Sequence, residues 1–245
     1  MRYQALFLLI VMLILSTACE DNKKATPVKK EGVEEARDNN AIEDSLRNTE
    51  KESPRDIAAN YPKLTNENVV EFLSDYGKKN PETQVLLKTN HGDIRLELFN
   101  DAPLHRANFI YLVKLGYFDG TFFHRVVPNF IIQGGNSDNV STAKKRTAIG
   151  KDYLLPAEVN NGRRHSYGSI SGAKEYRENP DKRTAPFEFF IFLGPKTSTA
   201  HLDGNYTVFG RVTDGMEVVE KIANLPSDDG DWPLQNVYLE AEIIQ

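Results

Sequence analysis

Phe123-His-Arg-Val-Val-Pro-Asn-Phe-Ile-Ile-Gln-Gly-Gly135 carries the greater part of one strand-like run, Thr121 to Val127, and the whole of a second, Phe130 to Gln133. Their aromatic and β-branched side chains suit a pleated, half-buried surface. Similar runs follow at Gly168 to Ser171, Glu188 to Leu193, Thr207 to Val212 and Val237 to Ile244. Upstream, Val85 to Thr89 and Ile94 to Phe99 flank Asn90-His-Gly-Asp93, and apolar and charged residues alternate in the second run, which predicts a hairpin with one wet face. Helical readings are fewer. Pro103 to Leu115 has proline in its first turn and stops at Gly116, and Met216 to Asn224 lies between Asp214-Gly215 and Pro226. Many short strands, few helices and no strand-helix rhythm argue for an antiparallel barrel or sandwich over a doubly wound sheet.

The N-terminal third reads differently. Arg2 precedes an apolar stretch from Ala5 to Leu15, and Ser16, Thr17 and Ala18 lead into Cys19. This is the pattern of a secretory signal, shorter than the roughly 20 apolar residues of a membrane-spanning helix. A cysteine at the cleavage point resembles the lipobox of bacterial lipoproteins, with Ser16 standing where leucine is usual. The expectation is a lipid on Cys19, an anchored protein facing out of the cytoplasm in the cell envelope, and a membrane as partner through that lipid. A soluble secreted protein and a spanning helix are the alternatives. Between Glu20 and Asp56, 19 of 37 residues are charged, too polar to offset chain entropy by burial. The organisation expected is a signal over 1–18, lipidated Cys19 with a flexible tether over 19–64, a short helical lead-in over 65–84 carrying Val69, Val70, Phe72, Leu73 and Tyr76, and the folded domain over 85–245.

The chain has 245 residues, 30 Lys and Arg against 35 Asp and Glu, a net charge of −5 and one cysteine. The acidic balance argues against nucleic acid as partner, and the cysteine count excludes intrachain disulfides and thiolate metal clusters. The five histidines show no His-x-x-x-His pair, so neither metal nor cofactor is expected. Gly134-Gly135 lacks the surroundings of a nucleotide-binding loop and reads as a turn. Asn139-Val-Ser and Asn205-Tyr-Thr fit glycosylation sequons that would carry little meaning in a bacterial lipoprotein.

The opening segment is similar to the signature of the cyclophilins. Gly116-Tyr-Phe-Asp-Gly-Thr121, Phe189-Phe-Ile191, Leu202-Asp-Gly204 and Val208-Phe-Gly-Arg-Val212 resemble the stretches around it. The resemblance spans about Val85 to Ile244. It implies a mainly β fold, a closed eight-stranded antiparallel barrel capped by two α-helices, and peptidyl-prolyl cis-trans isomerase activity on proline-containing segments of client proteins, by a monomer. It also assigns roles. Arg125 would donate to the rotating imide, with Gln133 holding that arginine and the substrate backbone. Phe130, Ile131, Phe190 and Leu202 would line the proline pocket, while Ser171, Gly172 and Ala173 would border the groove for the preceding residue. Three positions depart from the family at the site. Glu188 replaces a common glutamine, and its carboxylate would either orient Arg125 or tie it up. His201 stands where many eukaryotic members have tryptophan, so weak cyclosporin sensitivity is expected, and Tyr206 stands where histidine is frequent. The loop from Lys174 to Ala185 is longer than in compact members and dense in charge. A scaffold or holdase that binds proline segments without catalysis is the rival reading, and an unrelated lectin-like envelope domain is a third.

Overall fold

A computed structural model describes residues 61–174 and 178–244. The signal, Cys19 and the tether up to residue 60 lie outside the described residues, as do Glu175 and Arg177 of the charged loop. Eight strands are present among the described residues: β1 Gln84–Thr89, β2 Gly92–Leu98, β3 Thr121–Val127, β4 Ile131–Asn136, β5 Ser169–Gly172, β6 Phe189–Phe192, β7 Val208–Asp214 and β8 Val237–Ile243. They close into an antiparallel barrel in the order β1-β2-β7-β5-β6-β4-β3-β8. Closure leaves no unpaired sheet edge. In β2, Ile94, Leu96 and Leu98 face the core while Asp93 and Arg95 are exposed, so the expected wet face is there.

Helix α1 is Val69–Lys79 and α2 is Pro103–Lys114. In α1, Val69, Leu73 and Tyr76 form the buried stripe at helical spacing. Nearly all of α2 is buried, from His105 to Val113. Two of its polar residues reach the surrounding backbone: the Arg106 guanidinium donates to the carbonyls of Asn80, Glu82 and Gly77, and the Asn108 amide donates to Pro186 O at 2.8 Å. Ala102 at its N-cap has no capping side chain. Glu158 supplies the cap from 53 residues away, accepting the backbone N–H groups of Leu104 and His105 at 3.0 Å each. Helix α5, Met216–Ala223, packs against β2, β3 and β4, and α2 against β7 and β8.

The expected boundary of the tether needs correction. The tether does not run to residue 64. Leu64 is buried in the main core and its N–H donates to Ile149 O at 2.7 Å, while the Tyr61 ring meets Phe72, Tyr76 and Tyr111 edge-on. The folded unit therefore includes Tyr61 to Lys79. Besides α2 and α5 there are also α3, Val140–Ile149, and the short α4, Thr199–Leu202. Helix α3 has no apolar stripe, because only Thr142 and Ile149 are buried. It is held by cations instead: Lys145 Nζ donates to the carbonyls of Gly116 and Asp119 at 2.7 and 2.9 Å.

Gly134-Gly135 is part of β4 and not a turn. Phe122 pairs with Asn136 and Phe123 with Gly134, leaving Gly135 as an extra residue. It has φ +96°, and a Cβ there would lie 2.2 Å from the Phe187 carbonyl oxygen. Glycine is thus required at this bulge.

Candidate active site

Strands β3, β4, β6 and β5 are neighbours, and their side chains alternate between the two faces of the barrel wall. The inward row is Val126, Ile132, Ile191 and Ile170, paired in that sequence and all in the main core. The rows on either side point the other way. One is Val127, Ile131 and Phe192; the other is Arg125, Gln133, Phe190 and Ser171. Cross-strand neighbours of this kind sit about 4.5–5.5 Å apart at Cβ, so each row is a continuous surface.

The outward rows are largely apolar, and they form a second hydrophobic cluster separate from the core. Ile131, Phe190, Phe192 and Leu202 are buried in it, with Val127, Phe130 and Tyr206 packed against them. Leu202 comes from α4. The Phe130 ring stands edge-on to Phe192 at 6.3 Å and tilted to His201 at 6.1 Å, and Tyr206 stands edge-on to Phe190 at 5.6 Å. Phe130, Ile131, Phe190, Leu202, His201 and Tyr206 are therefore brought together on one surface. His201 is exposed at the rim. Phe192 and Val127 belong to the same surface and follow from two-residue alternation along β6 and β3.

Arg125 lies beside this cluster, opposite Gln133. The register slips between Phe123 and Arg125, which makes His124 the extra residue of a bulge and turns Arg125 to the outer face. The Arg125 side chain is about one third exposed, and its Nε donates to Asp231 Oδ2 at 3.1 Å. No hydrogen bond is made by Nη1 or Nη2 among the described residues.

Glu188 neither orients Arg125 nor ties it up. Arg146 of α3 donates to its Oε1 at 3.1 Å, Gln133 Nε2 donates to Oε2 at 2.9 Å, and His124 Nε2 lies 3.4 Å from Oε2. Burial pushes the carboxyl up, but His124 and the Arg146 guanidinium outweigh it and hold its pKa down to about 2. Arg146 is itself fixed, donating to Tyr117 Oη and Gly135 O and lying over the Phe187 ring at 5.2 Å. The Glu188 carboxylate is thus engaged by Arg146, Gln133 and His124 and makes no hydrogen bond to Arg125 among the described residues. Nothing adjacent in sequence signals Arg146 as its partner.

Ser171, Gly172 and Ala173 are buried, and Ser171 pairs across the strands with Phe190 of the cluster. Thr184 presses its methyl group onto Gly172, and Ala185 N–H donates to Ala173 O at 2.9 Å, so the end of the long loop covers them. That loop also carries Lys174, whose Nζ lies 4.7 Å above the Tyr206 ring, and Lys182, which donates to Gly204 O at 2.8 Å. Both contacts bring cations to the end of the groove.

Ser171 Oγ lies 2.9 Å from His165 Nε2, and His165 Nδ1 lies 2.8 Å from Asp203 Oδ1. The order matches that of a nucleophile, a base and an orienting carboxylate, but Ser171 is wholly buried and cannot meet a substrate. Burial pushes the His165 ring below its ordinary pKa despite the Asp203 carboxylate, and the ring stacks parallel to Phe190 at 5.9 Å. This triad backs the apolar slot. The cluster presents apolar side chains on the outer face of the barrel with a fixed-charge N–H donor next to them.

The comparisons agree with this geometry. The family model described as cyclophilin type peptidyl-prolyl cis-trans isomerase/CLD matches residues 84–242. A peptidyl-prolyl cis-trans isomerase of Acinetobacter baylyi is 39% identical over 146 residues, covering 59% of this chain and 74% of that one. Peptidyl-prolyl cis-trans isomerase A of Dickeya dadantii is 36% identical over 166 residues, covering 66% and 82%. A crystal structure of a cyclophilin type isomerase from Cryptosporidium parvum, obtained in the presence of the dipeptide Ala-Pro, superposes with a TM-score of 0.55 at 28% identity, covering 66% of this chain and 99% of that one. The closed eight-stranded barrel and the match over residues 84–242 are those of the cyclophilin-type peptidyl-prolyl cis-trans isomerases, the family to which this chain belongs.

Proposed function

We propose that the protein accelerates X-Pro rotation in exported or envelope proteins, with Arg125 stabilising the twisted imide while the slot holds the proline ring. Rotation breaks amide resonance against a barrier of about 18–20 kcal/mol, and no bond is formed or cleaved. No nucleophile or proton shuttle is needed. The imide nitrogen gains a localised lone pair only as the bond twists, so a donor aimed at it favours the transition state over either ground state. The observation that carries this reading is the guanidinium beside the Ile131, Phe190 and Leu202 slot, with both terminal nitrogens unbonded among the described residues. The relative from Cryptosporidium parvum, crystallised in the presence of the dipeptide Ala-Pro, supports a prolyl ligand. Gln133 donates to Glu188 and so keeps a fixed place beside Arg125, with its amide carbonyl left as an acceptor.

The rival reading is a proline-binding module with catalysis lost through Glu188 and the altered rim, and its first part requires that carboxylate to hold Arg125. Arg146, Gln133 and His124 occupy it instead. The envelope location rests on the signal-like stretch and Cys19, with a lipid tether as the anchor. Among the described residues no helix is long and apolar enough to cross a membrane.

Arg125→Ala is expected to lower kcat/KM on a proline tetrapeptide by about tenfold or more, about 1.4 kcal/mol of transition-state stabilisation, with an unchanged circular dichroism spectrum. Undiminished turnover removes the role given to the guanidinium. Glu188 titrates from an unfolded value of 4.5 down to about 2 in the fold, so its contribution is complete above pH 4.5 and drains away as pH falls toward 2. Urea unfolding is expected to show wild-type stability declining by up to about 3 kcal/mol through that window, and Glu188→Gln to show a shallower decline with isomerase activity kept within about threefold. In cells, Cys19→Ser is expected to move the protein from the membrane to the soluble fraction; retention in the membrane would contradict the lipid anchor.

A further inference from the structure

We infer that Asp231 is a positioning residue for the isomerase reaction, holding Arg125 by its inner nitrogen so that its outer two meet the substrate. The inference rests on the role proposed above for Arg125. Asp231 is 106 residues away in sequence and sits in the segment between α5 and β8. Its carboxylate takes the Nε–H of Arg125 at 3.1 Å. That is the donor nearest the stem of the side chain, and fixing it sets the plane of the guanidinium while leaving the Nη1 and Nη2 donors of the fork for another acceptor.

The segment that carries Asp231 is built as a bracket across β3. Asp228 Oδ1 accepts the N–H groups of Gly230 and Trp232 at 2.8 and 2.9 Å, and the Asp231 N–H donates to Asp228 O at 3.1 Å. The Asp228 N–H closes the turn on Trp232 O at 2.9 Å. The bracket is then fastened to the strand at successive residues. Trp232 stands edge-on to Phe122 and tilted to His124, Asp231 pairs with Arg125, and the Val126 N–H donates to Asp231 O at 2.8 Å. Asp231 itself has φ +64°, a left-handed conformation that non-glycine residues adopt at a penalty. The chain accepts that penalty at the residue that reaches the arginine.

Magnitudes favour positioning over stability as the role of the pair. The two side chains are 32% and 41% exposed, and an ion pair that wet is worth about 0–1 kcal/mol. A free arginine carries about 2 kcal/mol of rotamer entropy, which must be lost when its fork engages a twisted imide. Prior restraint at Nε removes part of that loss before substrate arrives, and the gain is felt in turnover. The pair also places a negative charge beside the guanidinium, which by itself weakens the attraction for the imide lone pair. Positioning and charge are therefore separable by substitution.

Asp231→Gly removes the side chain without strain at positive φ, and Asp231→Asn keeps an acceptor of the same shape without the charge. The full chain is assayed on a proline tetrapeptide with kcat and KM resolved, alongside Arg125→Ala and the Arg125→Ala/Asp231→Gly double variant. Expected are a kcat lowered about five- to tenfold by Asp231→Gly with KM within about twofold, at least half of wild-type kcat in Asp231→Asn, and no further loss from Asp231→Gly once Arg125 is alanine. Wild-type kcat in Asp231→Gly would overturn the inference and leave the role of Arg125 standing. An equal fractional loss in the Arg125→Ala background would overturn it too, as a general effect of the loop. Asp231→Asn as impaired as Asp231→Gly would assign the effect to charge and not to position. Full activity in Arg125→Ala would remove the underlying reading itself.

Discussion

The strict alternation of side chains across a pleated wall is the constraint on which the site depends. A closed barrel has one inside, and Val126, Ile132, Ile191 and Ile170 fill it. The next residue on each strand must point out, where water would ordinarily select polar side chains. Here those positions are Val127, Ile131, Phe192 and Phe190, roofed by Leu202 of α4. An apolar slot on the outside of the barrel is a place for an apolar guest. The same alternation, shifted once by the bulge at His124, delivers Arg125 to that face.

Around the slot, opposite charges are sorted so that each is spent in one direction. Glu188 pairs with Arg146 and keeps Gln133 in place; Asp203 holds His165, whose ring backs Phe190; Asp231 takes only the inner nitrogen of Arg125. Each of these three carboxylates thus has a partner, and among the described residues none is bonded to the outer nitrogens of the arginine. Chemistry that breaks no bond asks for such restraint, because what it needs is a donor held at a fixed angle in a poorly solvated place. The same economy makes the serine-histidine-aspartate triad structural, since Ser171 lies beneath the surface that a peptide would touch.

How much of this was legible in the sequence follows from the range of each interaction. The strands, α1, α2 and α5 come from local periodicity and turn residues, and Phe130, Ile131, Phe190, Leu202, His201 and Tyr206 come from resemblance around two short motifs. Phe192 and Val127 were within reach, one alternation from residues already singled out. Arg146 and Asp231 were not, because their partners are 42 and 106 residues away and no pattern marks them. Helix α3 escaped because it is held by lysine and arginine to backbone carbonyls and not by an apolar stripe. Leu64 was assigned to the tether because one apolar residue beside a charged segment carries no periodic signal, although its burial is complete.

The central claim is that the forked geometry of a guanidinium, and not merely a positive charge, stabilises the twisted imide. Replacing Arg125 by lysine keeps the charge and most of the length but offers one compact ammonium that Asp231 can draw aside. Cis-trans exchange of a proline peptide, followed by NMR at catalytic amounts of protein, tests this directly. The account predicts that Arg125→Lys catalyses exchange about as poorly as an alanine substitution would, while still binding the peptide. Exchange at the wild-type rate in Arg125→Lys would contradict it.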